Sequence, residues 1–262
     1  MKSQIRCIVL IGLGSIGKRH LESLIKLKRK CTIYLIDVNL EALEFCKKKI
    51  CKNINTHNLF FSNKMTNLPK FIDLAIIATN ADKRREVTEK LVYRSSIKYI
   101  IFEKIAFQSI TDFKKIIYLL NKKGIKSWVN CPRRCWPIYK KLKKEVNKKP
   151  LVMSIEGGNR WGMGGSSVHC LDLLSYLIGE NKFYLVHSNL HKKIYKSKRN
   201  FFYEFGGKFI IKSLYGSTII FQDNMIGKNR PKLLIDLKGK KFLIHEEKSI
   251  IKEFNKKKKS LI

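Results

Sequence analysis

The sequence predicts an α/β domain on a parallel sheet, followed by an α+β domain on an open, mainly antiparallel sheet. Three observations carry this. The first 125 residues alternate short apolar runs with segments of helical period, as repeated βα units do. A glycine cluster, Gly12-Leu13-Gly14-Ser15-Ile16-Gly17, directly follows the first apolar run. Later the alternation gives way to strand-like runs separated by Gly, Asn or charged turns. The division is set at 1–125 and 126–262.

In order, Arg6 to Ile11 reads as a buried strand ending at glycine. Ile16 to Lys28 places Ile16, His20, Leu24 and Leu27 at helical spacing. Cys31 to Ile36 is a strand, and Leu40 to Ile50 a helix with Leu40, Leu43 and Cys46 on one face. Asp73 to Thr79 is a buried strand and Lys83 to Tyr93 a helix. Lys98 to Phe102 is a strand, and Thr111 to Lys122 a helix that Gly124 closes. Right-handed crossovers then give a parallel sheet. A strand at Ser127 to Asn130 leads through Pro132 and Pro137 into a helix of about 11 residues. Beyond it lie strands at Leu151 to Glu156, Phe183 to Leu190, Phe201 to Phe205, Lys208 to Leu214, Ser217 to Gln222, Lys232 to Leu237 and Lys241 to His245. Their short turns imply an antiparallel meander, interrupted by one helix, Ser167 to Leu177.

The glycine cluster has the pattern Gly12-x-Gly14-x-x-Gly17 between a strand and a helix, the context that gives this motif meaning. Gly12 permits the tight turn, Gly14 lets backbone approach a pyrophosphate, and Gly17 lets helix and strand pack closely. Ser15 and Ile16 complete a loop that offers phosphate the helix N-terminus. Asp37 ends the next strand, twenty residues after Gly17, where a carboxylate accepts hydrogen bonds from the adenosine ribose and repels a 2′-phosphate. A Rossmann domain binding a nicotinamide dinucleotide, NAD rather than NADP, is expected. Lys47 to Lys49 lie too far along their helix to reverse that preference. Asp37 could instead cap the helix at Leu40. Thr79 and Asn80, at a later strand's carboxyl end, would border the nicotinamide ribose; Asn80 reads equally well as a helix cap.

The chain has 262 residues, a formal charge of +35, and 44% apolar residues, enough for a substantial core. The charge comes from 44 Lys and only 11 Arg, spread along the chain. Specific DNA readers lean on Arg, and no recognition helix or aromatic-basic interleaving stands out, so no nucleic-acid partner is expected. The one true run, Lys256 to Lys259, reads as a solvated end. No stretch approaches the ~20 apolar residues of a membrane helix, and the N-terminus lacks a leader's cleavage pattern. Seven Cys, Cys7, Cys31, Cys46, Cys51, Cys131, Cys135 and Cys170, include no CxxC; reduced thiols in a cytoplasmic protein are expected. Cys131, Cys135 and His169 do not make a four-ligand zinc set, so no metal is expected.

Four segments together, Gly12 to His20, Ala75-Ile-Ile-Ala-Thr79, Phe102-Glu103-Lys104 and Gly164-Gly-Ser-Ser-Val-His169-Cys-Leu-Asp172, resemble the glucose–fructose oxidoreductase / inositol dehydrogenase (Gfo/Idh/MocA) family. The resemblance runs from about residue 5 to 222. It implies NAD(P)-dependent oxidation or reduction of a sugar, cyclitol or sugar nucleotide, in a two-domain fold often assembled into homo-oligomers through the open sheet. Glu103 then falls on the cofactor side, and Lys104 matches the family's substrate-contacting lysine, with Ile105 where the family has proline. A lysine beside a cationic nicotinamide gives up its proton more readily, which suits acid–base work on a carbinol. The alternative is an ordinary surface lysine.

His169 matches the family's histidine near the start of the second domain's helix, a proton acceptor if neutral. Asp172 lies three residues on, on the same face; as a first-turn acid it could instead complement the helix dipole. Gly165 stands where many relatives carry a carboxylate. Asn130, Arg133 and Arg134 fall where relatives place substrate-binding residues, and an arginine there could grip an anion with its fork. Asn159, Arg160 and Trp161 could line a sugar pocket, although a tryptophan is more often core. The family usually has further strands and a longer C-terminus, so the chain reads either as a short member or as a truncated or decayed one with an incomplete second sheet. A non-catalytic, cofactor-binding relative is the alternative to an enzyme.

Overall fold

The structure, a computed structural model, describes residues 5–52, 54–158, 160–197, 202–227 and 231–255. Asn159, Phe201 and the lysine run at 256–259 lie outside the described residues. The chain divides into two compact units, Met1–Asn130 and Cys131–Ile262.

The first unit is doubly wound. Its strands are β1 (Cys7–Ile11), β2 (Thr32–Ile36), β3 (Asn58–Ser62), β4 (Phe71–Ile77), β5 (Ser96–Phe102) and β6 (Lys126–Val129). All pair in parallel, in the order β3-β2-β1-β4-β5-β6. Helices α1 (Ser15–Leu24) and α2 (Leu40–Phe45) cover one face, where Leu21, Leu24 and Leu43 bury against Ile8, Leu10, Ile33 and Leu35. Helices α3 (Ala81–Arg94) and α4 (Ile110–Lys122) cover the other, where Leu91, Ile116 and Leu120 meet Val9, Ala75, Ile77 and Ile100. With both faces covered, the central strands are continuous apolar runs, which is why they were legible.

Three expectations change here. The strand β3 escaped the sequence reading because it is short and half exposed at the sheet edge. Helix α1 stops at Leu24, and α2 stops at Phe45, where Cys46–Ile50 widens into a π-turn. The unit ends at Asn130 rather than 125, because β6 pairs with β5 and completes the first sheet.

The second unit packs two helices, α5 (Pro137–Val146) and α6 (Met163–Ile178), on one face of a seven-stranded sheet. Its strands are β7 (Val152–Gly157), β8 (Phe183–Lys196), β9 (Tyr203–Ser213), β10 (Thr218–Asp223), β11 (Lys232–Leu237), β12 (Lys240–His245) and β13 (Ile250–Asn255). The order is β13-β12-β11-β7-β10-β9-β8. The sheet is mostly antiparallel, but β7 inserts between β10 and β11 and runs parallel to β10, so it is not a simple meander. The two runs expected at Phe201 to Phe205 and Lys208 to Leu214 are one strand, β9, which passes through Gly206 and Gly207 beside the bulged β8. A Cβ on Gly207 would lie 2.4 Å from the Asn189 carbonyl, so glycine lets the strand continue there. Alternating burial on β7, β10, β11 and β12 puts Met153, Ile155, Ile219, Phe221, Ile235, Phe242 and Ile244 under Leu173, Leu174 and Leu177 of α6. The sequence reading missed β13.

Candidate functional site

In the first unit the sheet order reverses between β1 and β4, the switch point where a doubly wound sheet opens a crevice for ligand. The glycine loop lies there, pinned by Gly12 N–H donating to the Ile36 carbonyl at 2.8 Å and Ala78 N–H to the Ile11 carbonyl at 2.7 Å. Each glycine has its own reason. Gly12 has φ +95°, and a Cβ there would sit 2.8 Å from the Ala78 carbonyl carbon and from Thr79 N. A Cβ on Gly17 would fall 1.9 Å from the Gly12 carbonyl oxygen, so helix and loop could not close up. Gly14, at the N-cap of α1, would place a Cβ in open space. Its bare side is thus the face of the loop that a pyrophosphate can approach, at the helix N-terminus formed by Ser15 and Ile16. The residues fit a dinucleotide.

Asp37, half-buried, accepts from Leu13 N–H at 2.5 Å and from Asn39 N–H at 2.8 Å. It therefore braces the glycine loop; the cap of α2 is Asn39, whose side chain accepts from Ala42 N–H. Each carboxylate oxygen has a second lone pair for a ribose hydroxyl. Thr79 follows β4, and its hydroxyl oxygen is buried without a hydrogen-bond partner among the described residues. Asn80 is the N-cap residue of α3, but its side chain makes no capping hydrogen bond.

Lys104 and Glu103 follow β5. Glu103, 5% exposed, accepts from the Asn130 side-chain amide at 2.6 Å and pairs with His20 Nε2 at 2.7 Å. Burial pushes its carboxyl up, but the His20 and Asn130 hydrogen bonds outweigh burial and hold it below the usual carboxylate range. Asn130, expected on the substrate side, thus serves Glu103 in the first unit. The Lys104 N–H also reaches Glu103, at 3.3 Å, and the Lys104–Ile105 peptide is cis.

In the second unit, α6 begins at Met163, not Ser167. His169 consequently sits in the second turn and Asp172 in the third, so Asp172 has no first-turn dipole role. Asp172 is bonded by the fork of Arg134, at 2.6 and 2.7 Å. Arg133 forks onto Glu246 at 2.5 and 2.7 Å, and the buried Tyr139 hydroxyl donates to the same carboxylate. Burial raises the Glu246 carboxyl, but the Arg133 fork, Tyr139 and His169 more than offset this. Burial and the adjoining carboxylate in turn keep Tyr139 protonated. Burial likewise pushes the Cys170 thiol up to about 11. Trp161 donates from its indole to the Gln222 carbonyl at 3.2 Å, and the Arg160 guanidinium lies over the Tyr195 ring. Among the described residues, no three His, Cys, Asp or Glu gather to hold a metal. Nor is any described helix long and apolar enough to cross a membrane.

The sequence did not single out the polar roles of His20, Tyr139 and Glu246, which the structure bonds to Glu103, to Glu246 and to Arg133 respectively. His20 lies at helical spacing and reads as packing, while Glu246 sits in a lysine-rich stretch that carries no signal.

Fold and loop define the class: a doubly wound dinucleotide-binding domain joined to an α+β unit. Residues 6–131 match the model of the Gfo/Idh/MocA family, an oxidoreductase family with an NAD-binding Rossmann fold, so this part of the chain is similar to that family. No curated protein matches by sequence. Among solved structures, the chain is similar to the WlbA dehydrogenase of Bordetella pertussis in complex with NADH and UDP-GlcNAcA, at 14% identity and TM-score 0.70, over 93% of this chain and 77% of that one. It is similar to myo-inositol dehydrogenase of Lactobacillus casei with NAD(H) and myo-inositol, at 15% identity and TM-score 0.68, over 93% and 75%. It is equally similar in fold to a super-repressor mutant of Gal80p from Saccharomyces cerevisiae, at 12% identity and TM-score 0.70, over 97% and 80%. At these identities the likeness is one of fold.

Proposed function

We propose that the protein is an NAD-dependent oxidoreductase acting on a carbinol of a sugar, cyclitol or sugar nucleotide. The observation that carries this reading is the open face of Gly14 at the switch point, on a loop whose other two glycines cannot be replaced without collision. Nicotinamide dinucleotide, when bound, supplies the hydride acceptor or donor. Ser15 and Ile16 present their N–H groups to its phosphates. Asp37 selects NAD over NADP with the lone pairs its backbone bonds leave, while Thr79, Asn80 and Glu103 line the side toward the nicotinamide.

Lys104 and His169 are the proposed proton-handling groups, which take the hydroxyl proton as the carbinol carbon gives up hydride. Arg134 and Asp172 already satisfy each other, as do Arg133 and Glu246; an anionic substrate would meet either arginine by sharing it with its carboxylate. The proposed setting is cytoplasmic, with homo-oligomers formed through the open face of the second sheet.

A second reading has its own support, the likeness to a Gal80p super-repressor: a cofactor-binding protein without turnover. Titrating NADH by its fluorescence tests both, and absence of binding refutes both. If NADH binds, a panel of UDP-sugars, inositols and aldoses followed at the nicotinamide absorbance separates them. Turnover supports the enzyme; saturable binding with no turnover across the panel supports the second reading.

A further inference from the structure

We propose that Arg84 is the positioning residue that builds the nicotinamide half of the cofactor site. The inference rests on the dinucleotide reading above. Arg84 lies in the first turn of α3 and is 2% exposed. Its Nη1 donates to the carbonyls of Glu103 at 2.6 Å, Ala106 at 2.9 Å and Ile105; its Nη2 donates to the carbonyl of Thr79. A buried cation is costly unless it is met by polar partners, and here four backbone carbonyls accept from its two terminal nitrogens.

Those carbonyls come from two segments, the one leaving β4 and the one leaving β5. The switch point divides a dinucleotide between two sides of the sheet. The glycine loop and Asp37, on the β1–β2 side, take the adenosine half and the pyrophosphate. The segments after β4 and β5 face the other half. Arg84 ties those two segments together, and none of the four acceptors belongs to the glycine loop or to Asp37. One tied segment carries Thr79, whose hydroxyl is buried without a partner among the described residues. The other carries Lys104. A planar guanidinium can serve several carbonyls at once in fixed directions; a lysine ammonium, with a single nitrogen, cannot span them.

Arg84 is therefore expected to matter for the nicotinamide half and not for the adenosine half. Calorimetric titration of the full-length protein with ADP and with NADH reads the two separately. The wild type binds NADH at least about tenfold tighter than ADP. In Arg84→Lys that gap narrows to less than about threefold, while the ADP affinity stays within about twofold. Arg84→Gln, which reaches fewer carbonyls, repeats the measurement, and thermal unfolding checks that each variant is folded. A preserved gap in both variants overturns the proposal, as does loss of ADP and NADH together in both, since Arg84 would then only hold the domain together. A wild type that binds NADH no tighter than ADP refutes the inference alone. A wild type that binds neither refutes the dinucleotide reading as well.

Discussion

Two alanines in the same loop are expected to behave in opposite ways. In Gly17→Ala the new methyl would start 1.9 Å from the Gly12 carbonyl oxygen and 2.8 Å from its carbon. Those are backbone atoms of a strand-anchored loop, so no side chain can swing away, and the loop must retreat by about an ångström or more. Overpacking against backbone of this kind costs about 3 kcal/mol. For a unit of this size that lowers the melting temperature by about 10 °C. In Gly14→Ala the methyl meets no atom within 4 Å, and the backbone there, at φ −65° and ψ −170°, suits any residue. The melting temperature should move by less than about 3 °C, since a small unfolded-state gain opposes a small capping loss. The methyl nonetheless stands where the pyrophosphate must come close, so NADH affinity should fall by about tenfold or more, roughly 1.4 kcal/mol. Thermal unfolding without ligand and NADH fluorescence titration measure the two effects on the same samples. Wild-type NADH affinity in a stable Gly14→Ala protein would refute the reasoning, because the phosphates could not then lie on that face.

Lys104→Ala and His169→Ala should each leave NADH affinity within about threefold while turnover drops by about a hundredfold; parallel loss of binding would mark them as structural. The depressed Glu103 carboxyl stabilises the fold above its ordinary value of 4.5, and that contribution fades as pH falls through the lower folded value. Melting temperature against pH should therefore drop more steeply on the acid side in the wild type than in Glu103→Gln, and identical slopes would rule this out. Glu246→Ala leaves the half-buried Arg133 without its carboxylate and should destabilise the second unit by about 3 kcal/mol, read by urea unfolding; a change under about 1 kcal/mol would show that the pair is solvated.

Much of the first unit was legible because its central strands are buried on both faces and its loop obeys a tight steric rule. Gly12, Gly14 and Gly17 could be assigned separate jobs from spacing alone; close backbone contacts require glycine at Gly12 and Gly17, while Gly14 faces open space. The second unit was less legible. Its strands alternate and its turns are charged, so single elements showed but their partners did not. Nothing local says that β7 inserts between β10 and β11, since that order depends on pairs 66 to 84 residues apart. The start of α6 is hidden in the sequence because its first turn is Met163-Gly164-Gly165-Ser166, poor in helix-forming residues; Glu204, from β9, accepts from Gly164 N–H there.

The sequence by itself determined a dinucleotide loop on a parallel sheet, an acid at the end of β2, and a second unit built mainly of antiparallel strands. These rest on local sterics and periodicity, which a chain carries wherever it folds. Only the tertiary structure decided what each polar side chain is bonded to. Asp37 braces the loop, Glu103 is shared by His20 and Asn130, and Arg133 and Arg134 are met by Glu246 and Asp172. Each of those partners lies at least 24 residues away in sequence. A hydrogen bond depends on where two groups meet in space, and spacing along the chain does not record that.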